Sequence, residues 1–401
     1  MTGARRVIAL LLLAGVFVLE GYDLNAMALA VPRLKGALGL EPAAFGAVFA
    51  VLPLGIGVGG ALLAPLGDRI GRRPLIVFGC VGVAASMLAT ALAGSIPAFV
   101  GWRLLNGIML GACLPNVSAL SADLAPERLR ATIMSVVAAG IPIGLAGAGL
   151  TTPSIVAVAG WQGLFVVPGI VGALLAVALG FTLTPGVPEA PAGAPAISRV
   201  PQFELFRAPW LFPFAIFAAA LAFNAINLYL INSWLPTILP QAGFTLDDAA
   251  RISGVVQLAG LAIGIAASIL IDRWRPGLTL AGLFVLIALS FLAIGAARPA
   301  SWTPLLLVGV GGASAGGMVL PALCAYLLPP RLLSSAVGVG VMIGRIGAFL
   351  GPLLGQVMLS AHLSPNLFLA AAAGPAAVCA LVSLWVPAAL RVRMRREPAS
   401  V

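Results

Sequence analysis

The chain reads as an all-α membrane protein of twelve transmembrane helices in two related six-helix bundles. Three observations predict this. Of its 401 residues 61% are hydrophobic and only 8% charged, where a soluble domain carries about 25% charged residues. Apolar runs long enough to cross a bilayer recur from end to end. One offset, 204 residues, relates polar landmarks in the two halves: Glu20-x-x-Asp23-Leu24 to Asn224-x-x-Asn227-Leu228, Pro32 to Pro236, Asp68-Arg69 to Asp272-Arg273, and Gly140 and Gly147 to Gly344 and Gly351.

Hydropathy places the helices near 6–31, 43–66, 74–93, 97–121, 132–156, 161–183, 209–236, 249–271, 277–297, 302–328, 332–360 and 365–387. The first opens after Arg5-Arg6. With Ala28-Leu29-Ala30 it imitates a cleavable signal peptide, but its apolar stretch is too long and acids interrupt it. Those acids, Glu20 and Asp23, stand three residues apart and so share one helical face. Each costs roughly 2.5–3.5 kcal/mol near the middle of a membrane helix, which marks a functional site rather than packing.

In the second helix Gly55-x-Gly57-x-x-Gly60 fits a dinucleotide fingerprint without its βαβ setting, and small-residue helix packing explains it. The third holds Cys80. The fourth holds Arg103, Asn106, Gly107, Gly111 and the pair Pro115-Asn116. Helices five and six end the first bundle at 183, and the Pro/Ala-rich stretch 184–208 reads as a cytoplasmic linker. The second bundle spans 209–390, with a tail over 391–401. Helix seven carries Asn224, Asn227 and Tyr229, helix eight Gln257, helix ten Tyr326, and helix eleven Arg345 near mid-span. Gly312-Ala313-Ser314-Ala315-Gly316 imitates a nucleophile elbow. The lone histidine, His362, falls in an outer loop, too far to serve as its base. Cys80, Cys113, Cys324 and Cys379 form no C-x-x-C pair and read as small apolar residues.

The net charge of +10 could suggest a nucleic-acid binder, but placement assigns it to topology. Sixteen Lys and Arg fall on the side of the N-terminus. Four (Arg33, Lys35, Arg251 and Arg298) fall on the other, and Arg103 and Arg345 lie within helices. That bias puts both termini in the cytoplasm of a plasma-membrane protein with no nucleic-acid partner. All seven Trp fall at or just beyond helix ends, as an interfacial belt would. By count along the helices, Asp23 lies roughly 12 Å and Arg103 roughly 9 Å from the outer ends, so they can share a depth.

The loop Gly67-Asp68-Arg69-Ile70-Gly71-Arg72-Arg73-Pro74 resembles the signature loop of the major facilitator superfamily. Helix four, with Arg103, Gly107 and Gly111 at spacings of four, resembles the same superfamily. Glu20-Gly21-Tyr22-Asp23, the Pro115-Asn116 pair, Ser233-Trp234-Leu235-Pro236 and Gly344-Arg345 are similar to the aromatic acid:proton symporter family. Two positions depart: Glu20 stands for the first Asp of that motif, and Ala64 for a glycine.

The resemblance implies the major facilitator fold and a proton-coupled carrier of a small organic anion such as a benzoate or hydroxybenzoate. Asp23 is then the main proton site with Glu20 its partner. Arg345 takes the substrate carboxylate, with Arg103 balancing the acids or sharing the anion. Tyr22, Asn25, Asn106, Asn224, Asn227, Tyr229, Gln257 and Tyr326 are the polar groups expected around the substrate, although a single Asn in a bundle is more often interhelical glue. Asp68, Arg69, Gly71, Arg72, Arg73, Asp123 and Arg130 form a cytoplasmic gate. A degraded copy at Asp272 and Arg273 lacks the glycine and so makes a weaker latch. With no Walker loop ATP is not the direct energy source, no cofactor or metal is expected, and the carrier works as a monomer in the bilayer. The alternatives are a proton-driven exporter on the same fold and a membrane sensor, for whose soluble output domain the spans leave no room.

Overall fold

The computed structural model of the protein describes residues 3–183 and 202–396, and among the described residues there are helices and no strand. In a bilayer every backbone N–H and C=O must be bonded within the segment, which a helix alone does for a single span. Among the described residues twelve helices are long and apolar enough to cross: α1 (Ala4–Leu38), α2 (Pro42–Ile70), α3 (Arg72–Thr90), α4 (Ile96–Leu124), α5 (Thr132–Ala159), α6 (Gly163–Thr182), α7 (Leu211–Gln241), α8 (Leu246–Arg273), α9 (Pro276–Ala296), α10 (Pro299–Leu327), α11 (Pro330–Ser360) and α12 (Pro365–Met394).

Several helices outrun their predicted ends. Helix α1 continues through Pro32 to Leu38 rather than stopping at 31, and Arg33 Nη1 donates to Leu29 O at 2.9 Å in the turn that the proline disturbs. The last helix runs to Arg396, so the expected tail is helical over 391–396. Positions 184–201 of the expected linker, and 397–401, lie outside the described residues. The linker's end, Gln202–Phe206, is a short 3-10 turn whose Glu204 pairs with Arg331 at 2.9 Å.

By contact the chain forms two compact units. The first is Met1–Ala192 with Ser233–Val255, and the second is Gly193–Asn232 with Val256–Val401. In the first, Leu13, Ile56, Ile76, Met87, Val117 and Leu179 belong to one buried apolar core drawn from α1, α2, α3, α4 and α6. Ser233–Val255 joins this unit through specific contacts. Asp247 pairs with Arg33 at 3.3 Å, and Trp234 meets Phe49 edge-on at 5.2 Å.

Close helix crossings fix the first unit. A methyl group at Gly59 would lie 2.0 Å from Ile108 O, and one at Gly107 would lie 2.4 Å from Leu52 O, so α2 and α4 touch backbone to backbone. Gly55 and Gly59 are the glycines of α2 that touch the α4 backbone most closely, whereas Gly57 has open space. Helix α1 meets α5 the same way, with a Gly144 methyl 2.0 Å from Val18 O. In the second unit Gly347 and Gly351 play this part on α7, at 2.3 Å from Ala222 O and 2.6 Å from Ile226 O. The sequence repeat therefore does not carry glycine for glycine. Gly140 and Gly351 are tightly packed, whereas their counterparts Gly344 and Gly147 have room.

A prediction follows from this asymmetry. Gly144→Ala should lower the thermal stability of the detergent-solubilised protein by the equivalent of about 1–3 kcal/mol, the usual effect of overpacking. Gly147→Ala should leave the melting temperature within error. Equal melting of the two variants would contradict the crossing.

The Trp belt needs correction. Trp102, Trp274 and Trp385 are exposed, but Trp161, Trp210, Trp234 and Trp302 are buried. Their broad rings fill gaps at helix ends: Trp161 lies against Phe99 and Phe165, and Trp302 donates to Ala297 O at 3.3 Å.

Candidate functional site

Within the first unit the decisive contact joins α1 to α4. Arg103 Nη1 donates to Asp23 Oδ1 at 2.6 Å, and Nη2 lies 3.4 Å from Asp23 O. The side chains are 2% and 0% exposed. Arg103 therefore does not reach toward an interface beside Trp102. It closes a fully buried ion pair at the depth expected from counting residues. A buried pair is poor evidence for stability, because desolvation offsets most of its attraction. Its presence in so apolar a unit points to function. Glu20, one turn away on α1, is buried at 4%. The guanidinium's short contact goes to Asp23.

The neighbouring polar groups divide by what their side chains touch. Tyr22 is partly buried, with its hydroxyl 3.5 Å from Thr151 Oγ1. Asn25 donates to Leu145 O at 2.8 Å and so ties α1 to α5. Its counterpart in packing, Asn227, donates to Ala372 O at 3.0 Å. Both amides thus tie neighbouring helices together through their Nδ2 groups. Asn106 is 1% exposed, and neither end of its amide has a partner among the described residues.

In the second unit Gln257 is fully engaged. It donates to Asn232 Oδ1 at 3.0 Å and accepts from Ser314 Oγ at 3.0 Å. The serine of the false nucleophile elbow is thus a structural donor, while His362 sits in the loop beyond α11. Asn224 is buried against α10 where Gly316 leaves it room, and Tyr229 is half-buried on α7.

Arg345 is different. It lies midway along Pro330–Ser360, is partly exposed, and makes no hydrogen bond or ion pair among the described residues.

The loop between α2 and α3 forms the expected tight turn. Gly71 has φ +93°, a backbone conformation that side chains with a Cβ rarely adopt. Arg72 donates to Asp123 at the end of α4 and lies 4.0 Å from Asp68. Arg73 donates to Gly180 O on α6. The partner of Asp123 is therefore Arg72. Arg130, expected to join this cluster, is exposed and unpaired, as are Arg69 and Arg273 among the described residues. Sequence reading missed how Asn116 secures the loop: its amide donates to Ala64 O at 3.1 Å and Ala112 O at 2.9 Å.

Tyr326, expected among the polar groups around the substrate, bonds to Asp272. It sits at the end of α10, and its hydroxyl donates to Asp272 Oδ1 at 2.9 Å. A phenol thus takes the place of the guanidinium used in the first unit. Arg393 of α12 donates to Ala325 O and Tyr326 O and satisfies the last carbonyls of α10.

Comparison with known proteins bears on the family and the fold. Residues 12–352 match the model of the Major Facilitator Superfamily. The chain is 31% identical over 357 residues to the 3-(3-hydroxy-phenyl)propionate transporter of Escherichia coli (strain K12), covering 86% of this chain and 85% of that protein. It is 28% identical over 376 residues to a 4-hydroxybenzoate transporter of Pseudomonas putida (85% and 83% covered). With a gallate transporter of Pseudomonas putida it is 27% identical over 416 residues (96% and 92% covered). Among solved structures, a bacterial homolog of the human lysosomal transporter Spinster superposes with TM-score 0.78 at 17% identity, over 100% of both chains. A D-xylose-proton symporter superposes with TM-score 0.76 at 17% identity, over 95% of this chain and 96% of the other. These last two speak to the fold alone.

Proposed function

Because the chain belongs to the Major Facilitator Superfamily, we propose that it carries a small aromatic carboxylate, such as a benzoate or hydroxybenzoate, across the plasma membrane together with protons. The observation that carries this reading is Arg345, a cation halfway along a membrane helix and unpaired among the described residues. Left unfilled, such a group is costly in a bilayer, and an anionic substrate offsets that cost. The transporters of hydroxyphenylpropionate, 4-hydroxybenzoate and gallate to which the chain is similar narrow the anion to an aromatic acid.

Asp23 and Glu20 are the proton sites, and Arg103 balances them. With both acids ionised the buried trio carries one net negative charge. With one proton bound it is neutral and cheaper to enclose, so protonation biases which facing of the carrier is populated. Asp68, Gly71, Arg72, Arg73 and Asp123 form the cytoplasmic latch, with Tyr326 and Asp272 its weaker echo. Both termini then lie in the cytoplasm, as the charge bias directs.

A thermal-shift screen of the purified protein tests the substrate class, since a ligand stabilises by binding the folded state preferentially. Benzoates, hydroxybenzoates, muconates, quinate and common drugs form the panel. Stabilisation by hydroxybenzoates supports the reading, while stabilisation by drugs alone would favour an exporter.

A further inference from the structure

Among the buried polar atoms of the first unit with no hydrogen-bond partner among the described residues, four lie together on α1 and α4: Asp23 Oδ2, Arg103 Nε, and Oδ1 and Nδ2 of Asn106. Unmade buried bonds cost about 1–3 kcal/mol each, so four in one place are not incidental. They comprise two donors and two acceptors, the complement of water. Buried waters typically bond about three such groups.

Register places Asn106 at the height of Glu20. Helix α1 is the first span and α4 the fourth, so they cross in opposite directions. Glu20 precedes Asp23 by three residues and Asn106 follows Arg103 by three. Both therefore lie about 4.5 Å along the axis from the Asp23–Arg103 pair, toward the N-terminal end of α1. The position is rigid, because Gly107, next to Asn106, is pressed against Leu52 of α2.

We propose that Asn106 holds a short chain of water molecules linking Glu20 to Asp23 and Arg103, and that the transported proton passes between the two acids along it. The proton leaves the Glu20 carboxyl for a water oxygen, and a second proton leaves the chain for Asp23 Oδ2. One O–H bond breaks and one forms at each exchange, and charge is conserved. Asn106 is a positioning residue, since its amide does not itself carry the proton. The other titratable groups on the helices packed here are the thiols of Cys113 on α4 and Cys80 on α3, 3.8 Å apart, and charged groups toward the helix ends: Arg5, Arg6, Arg33 and Lys35 on α1, Arg72 and Arg73 on α3, and Asp123 on α4. Tyr22 points to Thr151. Helices α5 and α6 contribute no titratable side chain, and α2 has only Asp68 and Arg69 at its far end.

The inference rests on the proton-coupled reading above, and one experiment separates the two. Protein reconstituted in vesicles is assayed for accumulation of 4-hydroxybenzoate under an imposed pH gradient and for counterflow of the same compound without one. For Asn106→Leu, accumulation relative to counterflow should fall about tenfold, the effect of losing one buried bond. Asn106→Ser, whose hydroxyl still binds water, should keep most of it. An unchanged ratio in Asn106→Leu beside a coupled wild type overturns the relay alone. A wild type without pH-driven accumulation overturns the proton-coupled reading itself. Infrared difference spectra of the wild type between two pH values, recorded in water and in oxygen-18 water, give a readout that does not depend on variants folding. Isotope-shifted bands of bound water support the relay, and their absence overturns it.

Discussion

Asp23→Asn is expected to abolish accumulation of 4-hydroxybenzoate driven by a pH gradient and to make the remaining transport insensitive to external pH. Asn matches Asp in size and still accepts a bond from Arg103, but it cannot take up the proton. The change also removes the counter-charge of a guanidinium that is 2% exposed. Breaking one side of a buried pair destabilises by roughly 3–5 kcal/mol when nothing replaces it, so lost activity alone would be ambiguous. The double variant Asp23→Asn with Arg103→Gln settles the matter, since a neutral amide pair leaves no buried charge. It should recover most of the melting temperature and none of the pH-driven accumulation. Recovery of accumulation along with stability would show that the pair is structural.

Replacing Arg345 should have the opposite profile. It makes no hydrogen bond or ion pair among the described residues, so Arg345→Gln should leave the fold as stable as wild type, or more so, because an unpaired charge leaves the membrane. Affinity for hydroxybenzoates should fall about 10- to 100-fold, the worth of one charge-assisted fork. Arg345→Lys keeps the charge but not the planar pair of donors, and should recover only part of it. Isothermal titration on the purified variants measures this directly. Lysine binding as well as arginine would remove the bidentate contact.

The spans were legible because a bilayer admits few solutions: an apolar run of sufficient length has to be helical and has to cross. The acids and Arg103 were legible for a related reason, since buried charges must find each other and the first unit offers few candidates. Which acid receives the guanidinium was not. Glu20 and Asp23 share a face, and the rotation of α4 that selects Asp23 is set by Gly107 and Gly111 against α2, a packing matter without a charge signature. The bond of Tyr326 to Asp272 was not legible, because it forms only when the ends of α8 and α10 come together. Arg33 and Asp247 are separated by 214 residues, and neither has a local pattern that announces the other. The buried tryptophans show the limit of a positional rule. Lying near a helix end places a Trp at interfacial depth but does not say whether it faces lipid or the neighbouring helix.

The most direct measurement is of the protons themselves. Vesicles containing the protein, suspended in a lightly buffered medium, receive 4-hydroxybenzoate anion while external pH and labelled uptake are recorded together. Proton coupling predicts that the medium turns alkaline in step with uptake, and that Asp23→Asn abolishes the alkaline shift. Uptake by the wild type at full rate, with the external pH unmoved, would contradict it.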